Sequence, residues 1–105
     1  MTADQTEHYD HSVDLAEQAT GQVFAYEPSA SALLRYVWTG NGLRLEICGQ
    51  IPKRAGVWVA TQLNEDLVRQ TYPEGPPPLP NADALQARRA RRGAAIAALL
   101  RVKGG

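Results

Sequence analysis

Ala32-Leu33-Leu34-Arg35-Tyr36-Val37-Trp38-Thr39 runs directly into Gly40-Asn41-Gly42 and then into Leu43-Arg44-Leu45-Glu46-Ile47-Cys48. The first run can be written as a helix capped by Ser29, with Leu33, Leu34, Val37 and Trp38 on one stripe. It can equally be a strand that puts Leu34, Tyr36 and Trp38 on one face. The second run alternates apolar and polar residues, and Asn-Gly between two such runs is a strong hairpin signal, because both turn positions need positive φ. The strand reading therefore takes precedence. A turn at Asn41-Gly42 sets Trp38 against Leu45 and Tyr36 against Ile47, whereas a turn at Gly40-Asn41 sets Trp38 against Leu43 and Tyr36 against Leu45. The registers differ by an even step, so aromatics face aliphatics in both.

Upstream of this hairpin, Gln22 to Glu27 is rich in aromatic and β-branched residues and stops at Pro28, as a strand does. Before it, Tyr9 to Thr20 has a weak helical pattern through Val13, Leu15, Ala16 and Ala19, closed by Gly21. Downstream, the polar loop from Gly49 to Gly56 leads to Val57-Trp58-Val59-Ala60-Thr61, which reads as a further antiparallel strand. Asn64 then caps a short helix to about Thr71, with Glu65 and Asp66 in its first turn. Tyr72 to Pro80 is too proline-rich for a helix and is expected to be extended. Asn81 or Asp83 opens a last, alanine-rich helix.

The expected fold is α+β: a small antiparallel meander of three to four strands, flanked by an N-terminal helix, a short helix and a long C-terminal helix. The expected organisation is a flexible acidic start (1–8), a core domain (9–72), a proline-rich connector (73–81) and a basic helix with a Gly-Gly end (82–105). Tyr36, Trp38, Leu45, Ile47, Val57 and Val59 are the expected core. Open sheet edges make a homodimer plausible. No apolar run approaches the ~18 residues that cross a bilayer, and the polar start is no secretory signal, so a cytoplasmic protein without membrane partners is expected. Nine arginines against two lysines, with abundant alanine, suggest a GC-rich bacterial or phage genome.

Net charge is zero, yet the charge is sorted along the chain. Residues 1–27 carry six acids and no Lys or Arg; residues 82–105 carry five Arg and one Lys against Asp83 alone. Such sorting marks either an intramolecular clamp or a tail for a charged partner. Arg88, Arg89, Arg91 and Arg92 are the leading candidates for partner binding, because guanidinium groups grip phosphates and carboxylates bidentately. On this reading the protein is a small non-enzymatic binding or regulatory protein that docks an acidic protein or nucleic acid. Replacing all four by Ala is expected to spare the melting curve. Lys53 and Arg54 are expected at the tip of a hairpin spanning Leu43 to Thr61. Ile96, Leu99 and Leu100 lie in the apolar second half of the last helix and would anchor a structural subunit or adaptor of a larger complex.

Other chemistry is thinner. His8 and His11, with Glu7 or Asp14, could share a helical face, but zinc needs three or four ligands and nothing elsewhere completes the set, so no metal or cofactor is expected. Cys48 has no nearby base and reads as a half-buried, inert thiol. No nucleophile elbow or phosphate-cradling loop is present. If Ala30 to Thr39 were helical, the following hairpin would resemble the wing of a winged-helix DNA-binding domain, with Lys53 and Arg54 on phosphates. Leu99-Leu100-Arg101-Val102-Lys103-Gly104-Gly105 resembles the tails of ubiquitin-like modifiers and sulfur carriers. In that family the tail follows a strand of a grasp-type sheet, whereas here it follows an Ala/Arg helix, and a helix stop at Gly104 explains the same residues.

Overall fold

The structure is a computed structural model that describes the backbone of residues 3–104 and the side chains of residues 5–101. The element order is α1 (Ala3–Thr20), β1 (Gln22–Glu27), a 3-10 turn (Pro28–Ala30), β2 (Ala32–Thr39), β3 (Gly42–Gln50), α2 (Lys53–Thr71) and α3 (Ala82–Gly104). The fold is α+β, with a three-stranded antiparallel meander in the order β1-β2-β3. Trp38 faces Leu43 and Tyr36 faces Leu45, so the turn is Gly40-Asn41. Thr39 tightens it by donating to the Gly42 carbonyl (3.0 Å) and accepting from the Asn41 N–H (3.2 Å). Gly42 sits at φ 116°, a conformation that favours glycine.

Val23, Ala25, Leu34, Tyr36, Leu43 and Leu45 form one face of the sheet, and α1 and α3 cover it. A small void between those layers is lined by Tyr9, Asp10 and Val13 of α1, by Val23, Ala25 and Tyr36 of the sheet, and by Arg92 and Ile96 of α3. Val13, Ala16, Val23, Leu34, Tyr36 and Val68 are the heart of the core. On the opposite face Arg35 of β2 and Arg44 of β3 both pair with Glu46, and Leu33 of β2 is buried.

The main departure from expectation is α2. Residues 57–61 are helical, not a strand, and Asn64 lies in mid-helix, not at its start. Gly56, Ala60, Asn64 and Val68 are all buried and recur every four residues, which defines one helical face. Val57-Trp58-Val59 has strong β propensity, but tertiary burial of that small-residue face overrides it. The helix runs along the outer edge of β1. Asn64 Oδ1 accepts the Phe24 N–H (2.7 Å), and its Nδ2 donates to the Phe24 carbonyl (2.9 Å) and to Ser12 Oγ (3.3 Å). Tyr9 Oη accepts the Tyr26 N–H (3.4 Å) on the same edge. One sheet edge is thus closed by side chains, and among the described residues the outer edge of β3 is left open.

Other expectations shift too. Helix α1 starts at Ala3 and so includes residues assigned to an acidic tail. Ile47, expected in the core, is 73% exposed. Val57 and Val59 are partly buried on α2. Cys48 is exposed, not half-buried. The β2–β3 register slips between Leu33 and Leu34, leaving Cys48 as the extra residue of a bulge.

Candidate binding cleft

Two sets of cations were singled out, and the fold treats them differently. Asn81 Oδ1 caps α3 by accepting the Ala84 N–H (2.9 Å), which sets the phase of the arginines that follow. Arg89 donates through Nε (3.1 Å) and Nη2 (2.6 Å) to Asp14 Oδ2. Arg92 donates to Asp14 Oδ1 (3.2 Å) and Glu17 Oε1 (3.1 Å). Arg88 reaches Gln18 Oε1 (3.0 Å), and the Arg91 guanidinium stacks 4.4 Å from the centre of the Trp38 ring. Trp38 Nε1 in turn donates to Glu17 Oε2 (2.9 Å). The intramolecular clamp is therefore present: acids of α1 at helical spacing meet arginines of α3 at helical spacing.

Burial changes the energetics of this clamp. Exposed pairs contribute only about 0–1 kcal/mol each, but the Asp14 side chain is 1% exposed. An isolated carboxylate at that depth is strongly disfavoured, so Asp14 requires its two guanidinium partners. The paired carboxylate also holds Arg89 above its already high range, through its hydrogen bonds and its charge. The expectation that the four arginines could be removed without thermal cost is thereby corrected. Ile96 and Leu99 pack against the protein's own core, leaving Leu100 half exposed.

Lys53 and Arg54 are not on a hairpin tip. They are the first two residues of α2, because Pro52 is extended (φ −57°, ψ 145°) and its carbonyl accepts the Ala55 and Gly56 N–H groups, both at 3.0 Å. The helix start has no side-chain cap and no acid in its first turn. Two cations at the positive end of a helix repel it and each other, and neither forms an ion pair among the described residues.

These two residues border a cavity of about 640 Å³ between the start of α1, the end of β1 and the first turns of α2. Its volume suits a small ligand or a few side chains of a partner. Tyr26, Val57 and Trp58 supply the apolar wall, and Trp58 is 62% exposed. Tyr26 is fixed by donating to the Ile51 carbonyl (2.9 Å) and by packing against Gly56, where no side chain would fit. At the rim, His8 Nε2 lies 2.9 Å from Glu65 Oε1, an oxygen shut off from solvent with no donor unless His8 supplies it. The cleft thus joins two cations without an ion-pair partner among the described residues to an exposed indole. Sequence reading found Lys53 and Arg54 but missed Trp58, because the cleft exists only once residues 53–61 are helical.

The metal reading of the histidine segment meets a different arrangement. His8 faces Glu65, and Asp14 is held by Arg89 and Arg92. No cluster of three or more metal-ligating side chains forms among the described residues. Helix α3 runs on to Gly104, and Gly105, the end of the Gly-Gly tail, lies outside the described residues. No helix of the described residues is long and apolar enough to cross a membrane. Comparison with protein families, with curated proteins and with solved structures returns no match to this chain.

Proposed function

We propose that this chain is a small non-enzymatic binding protein that docks a negatively charged partner at the cleft where α2 begins. The supporting observation is the placement of Lys53 and Arg54, at an uncapped helix start and without an ion pair among the described residues, beside the exposed indole of Trp58. Such a surface suits an acidic protein segment that also carries an apolar or aromatic side chain. The indole would serve as the anchor, and the two cations would set orientation and association rate. Nucleic acid suits it less well. Two cations neutralise about two phosphates, and the chain as a whole has no net charge to add to the attraction. An exposed free thiol at Cys48 is compatible with a reducing, cytoplasmic setting.

Fluorescence anisotropy tests the reading with three labelled probes: a peptide of alternating Glu and Phe, its Lys/Phe counterpart and a single-stranded oligonucleotide. The acidic peptide is expected to bind preferentially. Lys53→Glu with Arg54→Glu, and separately Trp58→Ala, should each weaken it at least about tenfold, while Arg101→Ala should not. Equal binding of all three probes, or full binding to the charge-reversed variant, would refute the assignment.

A further inference from the structure

The sheet edge that the described residues leave open is self-complementary. With β1 closed by Asn64 and Tyr9, the outer edge of β3 is where the sheet can still grow. The bulge at Cys48 limits the regular part to Gly42–Ile47. Within it, Leu43, Leu45 and Ile47 point to the face covered by α1 and α3, and Arg44 and Glu46 point to the other. Laying a second β3 antiparallel about a twofold axis through Leu45 places Leu45 against its own copy. Leu43 then faces Ile47 of the second copy, and Arg44 faces Glu46 of the second copy, each pair occurring twice. The remaining large apolar side chain that β3 exposes, Ile47, gains an aliphatic neighbour. Arg44, which within one chain shares Glu46 with Arg35 and contacts its Oε1 (3.1 Å), gains a second, cross-strand carboxylate.

We infer that β3 is a homodimer interface, in which two copies join edge to edge through Leu43–Ile47 to form a continuous six-stranded sheet. A twofold axis perpendicular to the sheet keeps the same face uppermost in both copies. The two α3 helices then run antiparallel on one side, where the half-exposed Leu100 is available for further burial. Charged residues on an edge strand ordinarily discourage pairing. Here their alternation reverses that effect for one partner, a second copy of this chain, because Arg44 and Glu46 flank the axis symmetrically. The interface does not involve the α2 cleft and stands independently of it.

Sedimentation equilibrium and light scattering on the full chain test the inference. The wild-type protein is expected to self-associate as a dimer at submillimolar concentration. Arg44→Glu alone sets like charges opposite each other twice, and so does Glu46→Arg alone; each should raise the dimer dissociation constant at least about tenfold. An equimolar mixture of the two variants restores both opposite-charge pairs and should dimerise like the wild type. That rescue separates lost pairing from lost folding, because two misfolded chains would not repair each other. Ile47→Lys should weaken dimers with no rescue from either variant. A strictly monomeric wild-type chain, or a dimer indifferent to both charge reversals, would overturn the proposal, as would failure of the mixture to recover.

Discussion

Three residues carry unusual weight at the scale of single side chains. Asn64 is fully buried and completes the hydrogen bonding of both Phe24 backbone groups at the sheet edge. Asn64→Ala leaves both buried without partners and should cost about 2–4 kcal/mol, read by urea unfolding. Gly56 lies so close to the Tyr26 ring that a Cβ would stand 2.3 Å from its carbons. Gly56→Ala should cost about 1–3 kcal/mol and displace the cleft wall, so stability and acidic-peptide binding should fall together. Tyr9 is pushed above its ordinary pKa of 10.0, chiefly by burial, and Tyr36 likewise. Both bind their protons more tightly when folded than when unfolded. Their contribution is therefore fully present below about pH 10 and is lost as pH rises through the folded values. Tyr9→Phe should flatten the alkaline loss of stability between neutral pH and about pH 11, at a small cost at neutrality where the Tyr26 N–H loses its acceptor. Denaturant midpoints across that range decide the matter.

At the scale of elements, α3 is held to the body by a mixture of apolar and ionic contacts. Ile96 and Leu99 give it a footing on the core, and Asp14 and Glu17 fix its rotation through Arg89 and Arg92. Asp14→Ala removes the shared anion and leaves Arg92, which is largely buried, with Glu17 alone. The expected loss is about 3 kcal/mol, visible as a lowered thermal midpoint. Replacing Arg88, Arg89, Arg91 and Arg92 together by Ala should lower that midpoint further and release α3, seen as faster amide exchange confined to residues 82–101. A midpoint unchanged by either variant would show that α3 rests on its apolar contacts alone. The strands were legible for different reasons: Gln22–Glu27 from its aromatic and β-branched content and Pro28, the run after Gly42 from alternation, and Ala32–Thr39, which could also be written as a helix, from the Gly-Asn-Gly turn that follows it. The strand expected at Val57–Thr61 failed because two β-branched residues flanking a tryptophan outweighed a four-residue repeat of small side chains. That repeat, at Gly56, Ala60 and Asn64, was the available signal.

For the whole molecule, the zero net charge divides into an internal and an external part. The acids of α1 and the arginines of α3 largely satisfy each other, which leaves Lys53 and Arg54 as the cations grouped beside an open cleft. Salt should therefore act in two distinguishable ways. It should weaken acidic-peptide binding at the exposed cleft steeply, and alter unfolding free energy only slightly, because the Asp14 pairs are shielded from solvent. Titrations and melts at low and high ionic strength separate these effects, and a melting point that falls as steeply with salt as binding does would contradict the division. Local order alone determined the class of fold, the three strands and the existence of two oppositely charged helices, since alternation, turn residues and charge sorting are properties of neighbouring residues. Which cations stay free, which sheet edge stays open and whether Trp58 lines a cleft were decided only in three dimensions. Those outcomes depend on residues some forty to seventy-five positions apart, Phe24 with Asn64 and Asp14 with Arg89, whose meeting depends on long-range packing and is not written in any local pattern.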